Sequence, residues 1–213
     1  MNESLRIVVL GASGATGSRL VDGALARGFD VHAIARDPAG FAHDPDPLLT
    51  VHRGDVTDAD TIAAAITRES VVVSGLGVRS KREAGVLTAG ALAVLHARPA
   101  AVIWLGAVGT GRSAAAVGRL THRMLRAGFG AEYDDKTTAD GLILDANFTV
   151  IHSGPLNDKE GTAFEAVPLA ATRRRFFPHF VSRAGVAQLM LDEAESRRHP
   201  GEILIPRPVR SAS

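Results

Sequence analysis

The sequence predicts an α/β fold: a doubly wound, mainly parallel sheet flanked by helices, with a small C-terminal segment on the side where a ligand would lie. Three observations predict it. Short apolar runs of strand length alternate with amphipathic stretches of helical length. The first run, Leu5 to Leu10, ends directly in a glycine-rich turn. The length, 213 residues, suits one α/β domain covering residues 1–213 and is enough to bury a sizeable core.

The elements follow in order. Leu5–Leu10 (LRIVVL) is continuously apolar, as strands buried on both faces of a parallel sheet are. The helix after the glycines carries Leu20, Val21, Ala24 and Leu25 on one face and stops at Gly28. Asp30–Ala35 (DVHAIA) is a second strand, and Leu49–His52 a short third one leading to the turn Arg53-Gly54-Asp55. Thr57 or Asp58 can cap a helix running through Ile66. Ser70–Ser74 is a fourth strand, Leu87, Ala91, Val94 and Leu95 mark a helix, and Ala101–Leu105 is a fifth strand. Two helices are expected next, over 112–127 and 132–146, the second with an apolar stripe of Ala139, Leu142, Ile143 and Ala146. Phe148–His152 is a sixth strand. Residues 157–180 read as a long irregular loop on the substrate side. Ser182 precedes a helix bearing Val186, Leu189 and Met190, and Glu202–Ile205 is a short last strand before a tail frayed from Pro206.

Composition narrows function. Apolar residues are 46% and charged residues 22%, ordinary for a globular protein, and the net charge of +1 predicts no nucleic-acid footprint. No apolar run reaches membrane-span length, and no signal-peptide layout opens the chain, so a cytoplasmic protein without membrane attachment is expected. With no cysteine, thiolate catalysis and cysteine-ligated zinc are excluded. The eight histidines show no metal-ligand spacing, so no metal is expected, and there is no GxSxG nucleophile elbow.

The motif with chemistry is Gly11-Ala12-Ser13-Gly14-Ala15-Thr16-Gly17. Gly11 permits a tight turn, Gly14 lets backbone approach a pyrophosphate, and Gly17 allows close helix–strand packing. The following helix N-terminus offers unpaired N–H groups to phosphates. Between a strand and a helix near the N-terminus it reads as the dinucleotide-binding turn of a Rossmann fold, the alternative being a tight βα turn with no ligand. The second strand ends at Ala35-Arg36-Asp37. Arg36 suits the 2′-phosphate of NADP(H) rather than NAD(H), since a guanidinium pairs with phosphate oxygens. Asp37 would face the ribose if the strand ended one residue later. Gly54-Asp55-Val56 places Asp55 near an adenine edge with Val56 against its face, or makes an ordinary Asx turn.

These residues, with the turn Ser74-Gly75-Leu76-Gly77, resemble the atypical short-chain dehydrogenase/reductases with a single NAD(P)-binding domain, which include NmrA-like and biliverdin/flavin-reductase-like proteins. Looser matches at Ile151–Leu156 and Val181–Ala187 extend the resemblance over nearly the whole chain. It implies that Gly11, Ser13, Gly14, Ala15, Thr16 and Gly17 hold the pyrophosphate, Arg36 the 2′-phosphate, and Asp55 and Val56 the adenine. It places Gly75, Leu76 and Gly77 beside the ribose, and Lys136 at the nicotinamide ribose.

Departures from the family pattern bear on catalysis. Its serine would fall at Gly106 or Ala107, and Glu132 stands four residues before Lys136 where a tyrosine is usual. Tyr133 lies at i−3 from Lys136 and shares a helix face with it, as a proton donor or simply a packed ring. His152-Ser153-Gly154 replaces Arg-Pro-Gly, putting an imidazole near the nicotinamide or bonding it to backbone. Gly185 replaces an acid, removing a capping-box partner for Ser182. Phe164, Phe176, Phe177 and Phe180 either wall a planar acceptor or complete the core. Arg173-Arg174-Arg175 is a solvated loop or an anion site.

The expected function is NADPH-dependent hydride transfer to a small planar or carbonyl acceptor (a flavin, quinone or tetrapyrrole-like compound), by a monomer or homodimer. A non-catalytic dinucleotide-binding regulator is the main alternative. A sugar-nucleotide epimerase or dehydratase ranks last, since no large substrate domain is evident.

Overall fold

The computed structural model describes residues 4–41, 43–78, 83–159, 161–174 and 176–209. The strands are β1 (Arg6–Leu10), β2 (Asp30–Ala35), β3 (Leu49–Arg53), β4 (Val71–Ser74), β5 (Ala101–Ala107), β6 (Thr149–Ser153), β7 (Leu156–Asn157), β8 (Phe164–Pro168), β9 (Val181–Ser182) and β10 (Ile203–Pro208). The helices are α1 (Ala15–Ala26), α2 (Ala59–Ala63), α3 (Val86–Ala97), α4 (Arg119–Asp145) and α5 (Arg183–Ser196). Eight strands form one sheet in the order β3-β2-β1-β4-β5-β6-β10-β8. All neighbours are parallel except β10 and β8. The chain starts in the middle and reverses direction between β1 and β4, the doubly wound arrangement of a Rossmann fold.

Side-chain alternation in the strands divides the core into two layers. Ile7 and Val9 of β1 face α1 and α5, joined by Leu20, Val21, Met190 and Leu191. Val8 and Leu10 face the other layer, where α2, α3 and α4 bring Ile62, Val94 and Ile143 around Trp104. Both faces are buried, which is why LRIVVL carries no polar alternation.

Four expectations change. The helices foreseen over 112–127 and 132–146 are instead a 3₁₀ segment, Gly111–Ala116, and one continuous α4. Gly128 and Gly130 weaken the centre of α4, at about 1 kcal/mol each relative to alanine; its packing along α3 overrides that preference. The 157–180 segment is not wholly irregular, because β8 pairs antiparallel with β10 and extends the sheet. The same pairing orders β10 to Pro208, so the chain does not fray at Pro206. β6 accompanies β10 only at Ile203 and Leu204, leaving Pro206 where a missing N–H is tolerated. The helix after Asp58 is shorter than expected, ending at Ala63, and Asp58 rather than Thr57 caps it.

Two contacts lock the elements near the site. Asp135 of α4 is buried and accepts from the backbone N–H groups of Gly85, Leu87 and Thr88 at 3.0, 3.1 and 2.9 Å. A carboxylate thus caps the N-terminus of α3 from the neighbouring helix. Ser182 caps α5 by accepting from Gly185 N–H at 3.0 Å, so the cap survives without an acidic partner. Gly185 is a glycine for another reason: a Cβ there would fall 2.6 Å from the Phe164 ring.

Candidate functional site

Gly11 leaves β1 with a φ of +73°, and Gly14 N–H closes the turn on the Gly11 carbonyl at 2.9 Å. α1 then begins without a side-chain cap or an acidic residue in its first turn. Its first N–H groups and positive dipole end are left to an anionic ligand. A Cβ on Gly17 would overlap the Gly11 carbonyl oxygen, and one on Gly75 would stand 3.1 Å from Gly17 N. The β4 loop is therefore pressed against the helix terminus, at the reversal between β1 and β4 where open α/β sheets bind ligands.

This geometry opens a cleft of about 440 Å³. Every residue expected to bind a dinucleotide lines it except Gly17: Gly11, Ser13, Gly14, Ala15, Thr16, Arg36, Asp55, Val56, Gly75, Leu76, Gly77 and Lys136. Gly17 is a packing position beneath the loop. Arg36 is exposed at the rim and its Nη1 lies 3.3 Å from Glu83 Oε1, a weak surface pair that a ligand anion can displace. Asp37 does not face the cleft: β2 ends at Ala35, and Asp37 caps a 3₁₀ turn by accepting from Ala39 N–H at 3.1 Å. Asp55 makes the Asx turn and also borders the cleft. Its Oδ1 accepts from the N–H and hydroxyl of Thr57 at 2.9 and 2.7 Å. Those bonds hold its carboxyl below the usual range, with a smaller pull from Arg36.

At the other end α4 supplies Glu132, Tyr133 and Lys136. Lys136 Nζ donates to Glu132 Oε1 at 2.7 Å, one helical turn away. Both residues also line a second, largely apolar cavity of about 320 Å³, with Ala107, Val108, Tyr133 and Pro155. The Tyr133 hydroxyl donates to the Gly109 carbonyl at 3.1 Å and lies 2.9 Å from His122 Nε2. Lys136 is therefore half-buried at the wall between two cavities.

His152 is neither near the cleft nor bonded to backbone. It is fully buried, with Nδ1 2.6 Å from Ser113 Oγ. Its Nε2 stands 2.9 Å from Asp140 Oδ2, a contact whose alignment falls short of a hydrogen bond. This group bears on one of the two positions where a serine was expected, Gly106; the other, Ala107, lines the apolar cavity. A Cβ on Gly106 would fall 2.6 Å from His152 Cδ2 and 2.8 Å from Asp140 Oδ1. The space that a serine would need at Gly106 is filled by a buried histidine–aspartate pair.

The aromatic segment divides. Phe164 packs into the core, whereas Phe176, Phe177 and Phe180 are exposed. Sequence reasoning missed Glu83, Val86, Leu156 and Arg183 as cleft residues. Arg183 and Leu156 had a signal, since they stand in the matched stretches Val181–Ala187 and Ile151–Leu156; Glu83 and Val86 reach the cleft only through tertiary packing. Among the described residues no cluster of three or more metal-ligating side chains occurs, and no helix is long and apolar enough to cross a membrane.

Comparison with known proteins agrees with this geometry. A family profile described as NAD(P)H-binding matches residues 11–197. An uncharacterized chloroplastic protein of Arabidopsis thaliana is 40% identical over 78 residues, covering 35% of this chain but only 28% of the relative's length. A short-chain dehydrogenase/reductase from Veillonella parvula, solved in complex with NADP, superimposes with a TM-score of 0.78 at 15% identity, covering 95% of this chain and 94% of that one. ChuY, an anaerobilin reductase from Escherichia coli O157:H7, gives 0.74 at 20% identity, covering 97% and 100%.

Proposed function

This chain belongs to the NAD(P)H-binding family, and from that premise we propose that it is an NADPH-dependent oxidoreductase acting on a small planar or carbonyl acceptor. The observation that carries the proposal is the continuity of two spaces. A glycine-lined, dipole-facing cleft shares Glu132 and Lys136 with an apolar cavity large enough for a ring. The residues fit the cofactor, because the positions where a Cβ would intrude on the cradle are glycines.

When bound, NADPH would supply the hydride, and a proton must reach the acceptor separately. The chain's part is placement. The Gly11–Thr16 backbone and the α1 terminus would receive the pyrophosphate, and Arg36 would exchange Glu83 for the 2′-phosphate. Lys136 would donate to ribose hydroxyls, its ammonium held in position by Glu132. Tyr133 lines the acceptor cavity and would act there as proton donor to a carbonyl acceptor, with His122 beside its hydroxyl. An electron-poor flavin or quinone needs little such help. The walls of the second cavity would exclude water and orient the acceptor.

Cofactor preference tests the role of Arg36. Arg36→Asp should weaken NADPH binding on the order of 100-fold, by removing a bidentate phosphate partner and adding like-charge repulsion. NADH binding should hold or improve. Unchanged NADPH affinity in calorimetry would remove Arg36 from the site.

A second reading is favoured by two observations: neither Gly106 nor Ala107 is a serine, and the Tyr133 hydroxyl is turned to Gly109 and His122. On that reading the protein is a dinucleotide-binding regulator, and it would bind cofactor tightly without turnover.

A further inference from the structure

Three cavities run in series across the top of the sheet. The cofactor cleft shares Glu132 and Lys136 with the apolar cavity. The apolar cavity in turn shares Val108, Gly154 and Pro178 with a third space of about 160 Å³. Gly154 brings the last two together, since a Cβ there would overlap the His179 carbonyl oxygen. Only a glycine just after β6 lets the His179 carbonyl lie against it, with Pro178 lining both spaces.

Arg173, Arg207 and His179 line the third space, and among the described residues no carboxylate does. Arg207 is already paired, its Nε 2.8 Å from Glu165 Oε1. Arg174 is held to the Val117 carbonyl at 3.1 Å, and Arg175 lies outside the described residues. Arg173 is different: it lines the cavity, and among the described residues it has no acidic partner. An unpaired guanidinium beside a small cavity is a recognition element for a planar anion. The adjoining cavity, walled by Ala107, Val108, Pro155 and Pro178, suits an apolar ring.

We propose that Arg173 forms a carboxylate subsite, and that the acceptor is an apolar ring compound carrying a carboxylate side chain. The ring occupies the cavity at Tyr133 and Lys136, and the carboxylate reaches across Pro178 to Arg173. This rests on the oxidoreductase reading for the word acceptor, but not for the site itself.

The test uses a 1,4-naphthoquinone propionate and its methyl ester, with the full chain saturated with NADP⁺ for calorimetry and with NADPH for turnover. The acid should bind about tenfold more tightly than the ester, the weight of one charge-assisted hydrogen bond. Arg173→Gln should abolish that difference by weakening the acid alone. Affinity for NADP⁺ and thermal stability should stay as in the parent, since Arg173 is exposed and does not line the cofactor cleft. Equal binding of acid and ester, binding of neither, or an unchanged acid preference in Arg173→Gln would overturn the subsite. Acid-selective binding without NADPH oxidation would keep the subsite and refute the oxidoreductase reading instead.

Discussion

Gly106→Ala asks whether packing excludes any side chain at Gly106. The added Cβ would lie 2.6 Å from His152 Cδ2 and 2.8–2.9 Å from both carboxylate oxygens of Asp140. Carbon contacts settle near 3.5–4.0 Å, so the imidazole must retreat by about 1 Å. His152 has nowhere open to go: it is fully buried, and its Nδ1 is 2.6 Å from Ser113 Oγ, itself buried. Overpacking of this kind costs about 1–3 kcal/mol, and the loss of a buried polar contact adds about 1 kcal/mol more. The expected destabilisation is about 2–4 kcal/mol, or roughly 5–15 °C in melting temperature for a chain of this size. Urea unfolding should show a lower midpoint with an unchanged slope. Adding His152→Ala to the same chain should be less harmful than in the parent, because the two changes relieve one another. A Gly106→Ala protein as stable as the parent would refute the argument. The glycine would then need another cause.

Three further perturbations follow from the same contacts. Asp135→Ala should destabilise by about 2–4 kcal/mol, since three backbone donors at the start of α3 lose a buried charged acceptor; Asp135→Asn should retain part of that, and equal midpoints for all three proteins in urea would remove the cap from the account. Stability should also decline with acid in two stages. His52 is held below its ordinary value near 6.5, first by burial and then by the charges of His32 and Arg6, so its contribution is complete above about pH 6.5 and is lost as pH falls below it; His52→Gln should erase that stage. The carboxyls of Asp55 and Asp30 lie below the ordinary 3.8, so their contribution persists above about pH 4 and is lost below. For Asp55 the cause is the Thr57 bonds; for Asp30, burial opposes the shift but Arg6 and His32 outweigh it. A urea midpoint independent of pH between 7.5 and 5.5 in the parent would contradict the histidine stage.

The strands that build the site were legible because they are buried on both faces. LRIVVL and DVHAIA have no polar positions to blur them beyond Arg6, Asp30 and His32, and their ends fall where the glycine turn and Arg36 begin. The cradle was legible for the same reason: Gly11, Gly14 and Gly17 each answer a local steric demand. What sequence hid depended on partners distant in the chain. β8 exists by pairing with β10, some 40 residues later, and Phe164 is core because Gly185 makes room for it. α4 runs unbroken through Gly128 and Gly130, where local propensity pointed to a break. His152 reads as a strand-end polar residue until Ser113 and Asp140 are brought to it from two other elements. Asp37 reads as a ribose ligand until its own backbone claims it as a turn cap.

The central claim is that NADPH binds on the Gly11–Gly17 loop and delivers reducing equivalents to an acceptor in the adjoining cavity. Its most direct test is NADPH consumption by the purified protein with quinones, flavins and simple carbonyls, beside a Gly14→Val variant. Gly14 caps α1 with an ordinary extended backbone, φ −84° and ψ 162°, so valine there should block the phosphates without unfolding the chain. The account predicts saturable turnover in the parent and loss of both NADPH binding and turnover in a folded Gly14→Val protein. Tight NADPH binding with no turnover on any acceptor would contradict it and identify a dinucleotide-binding regulator.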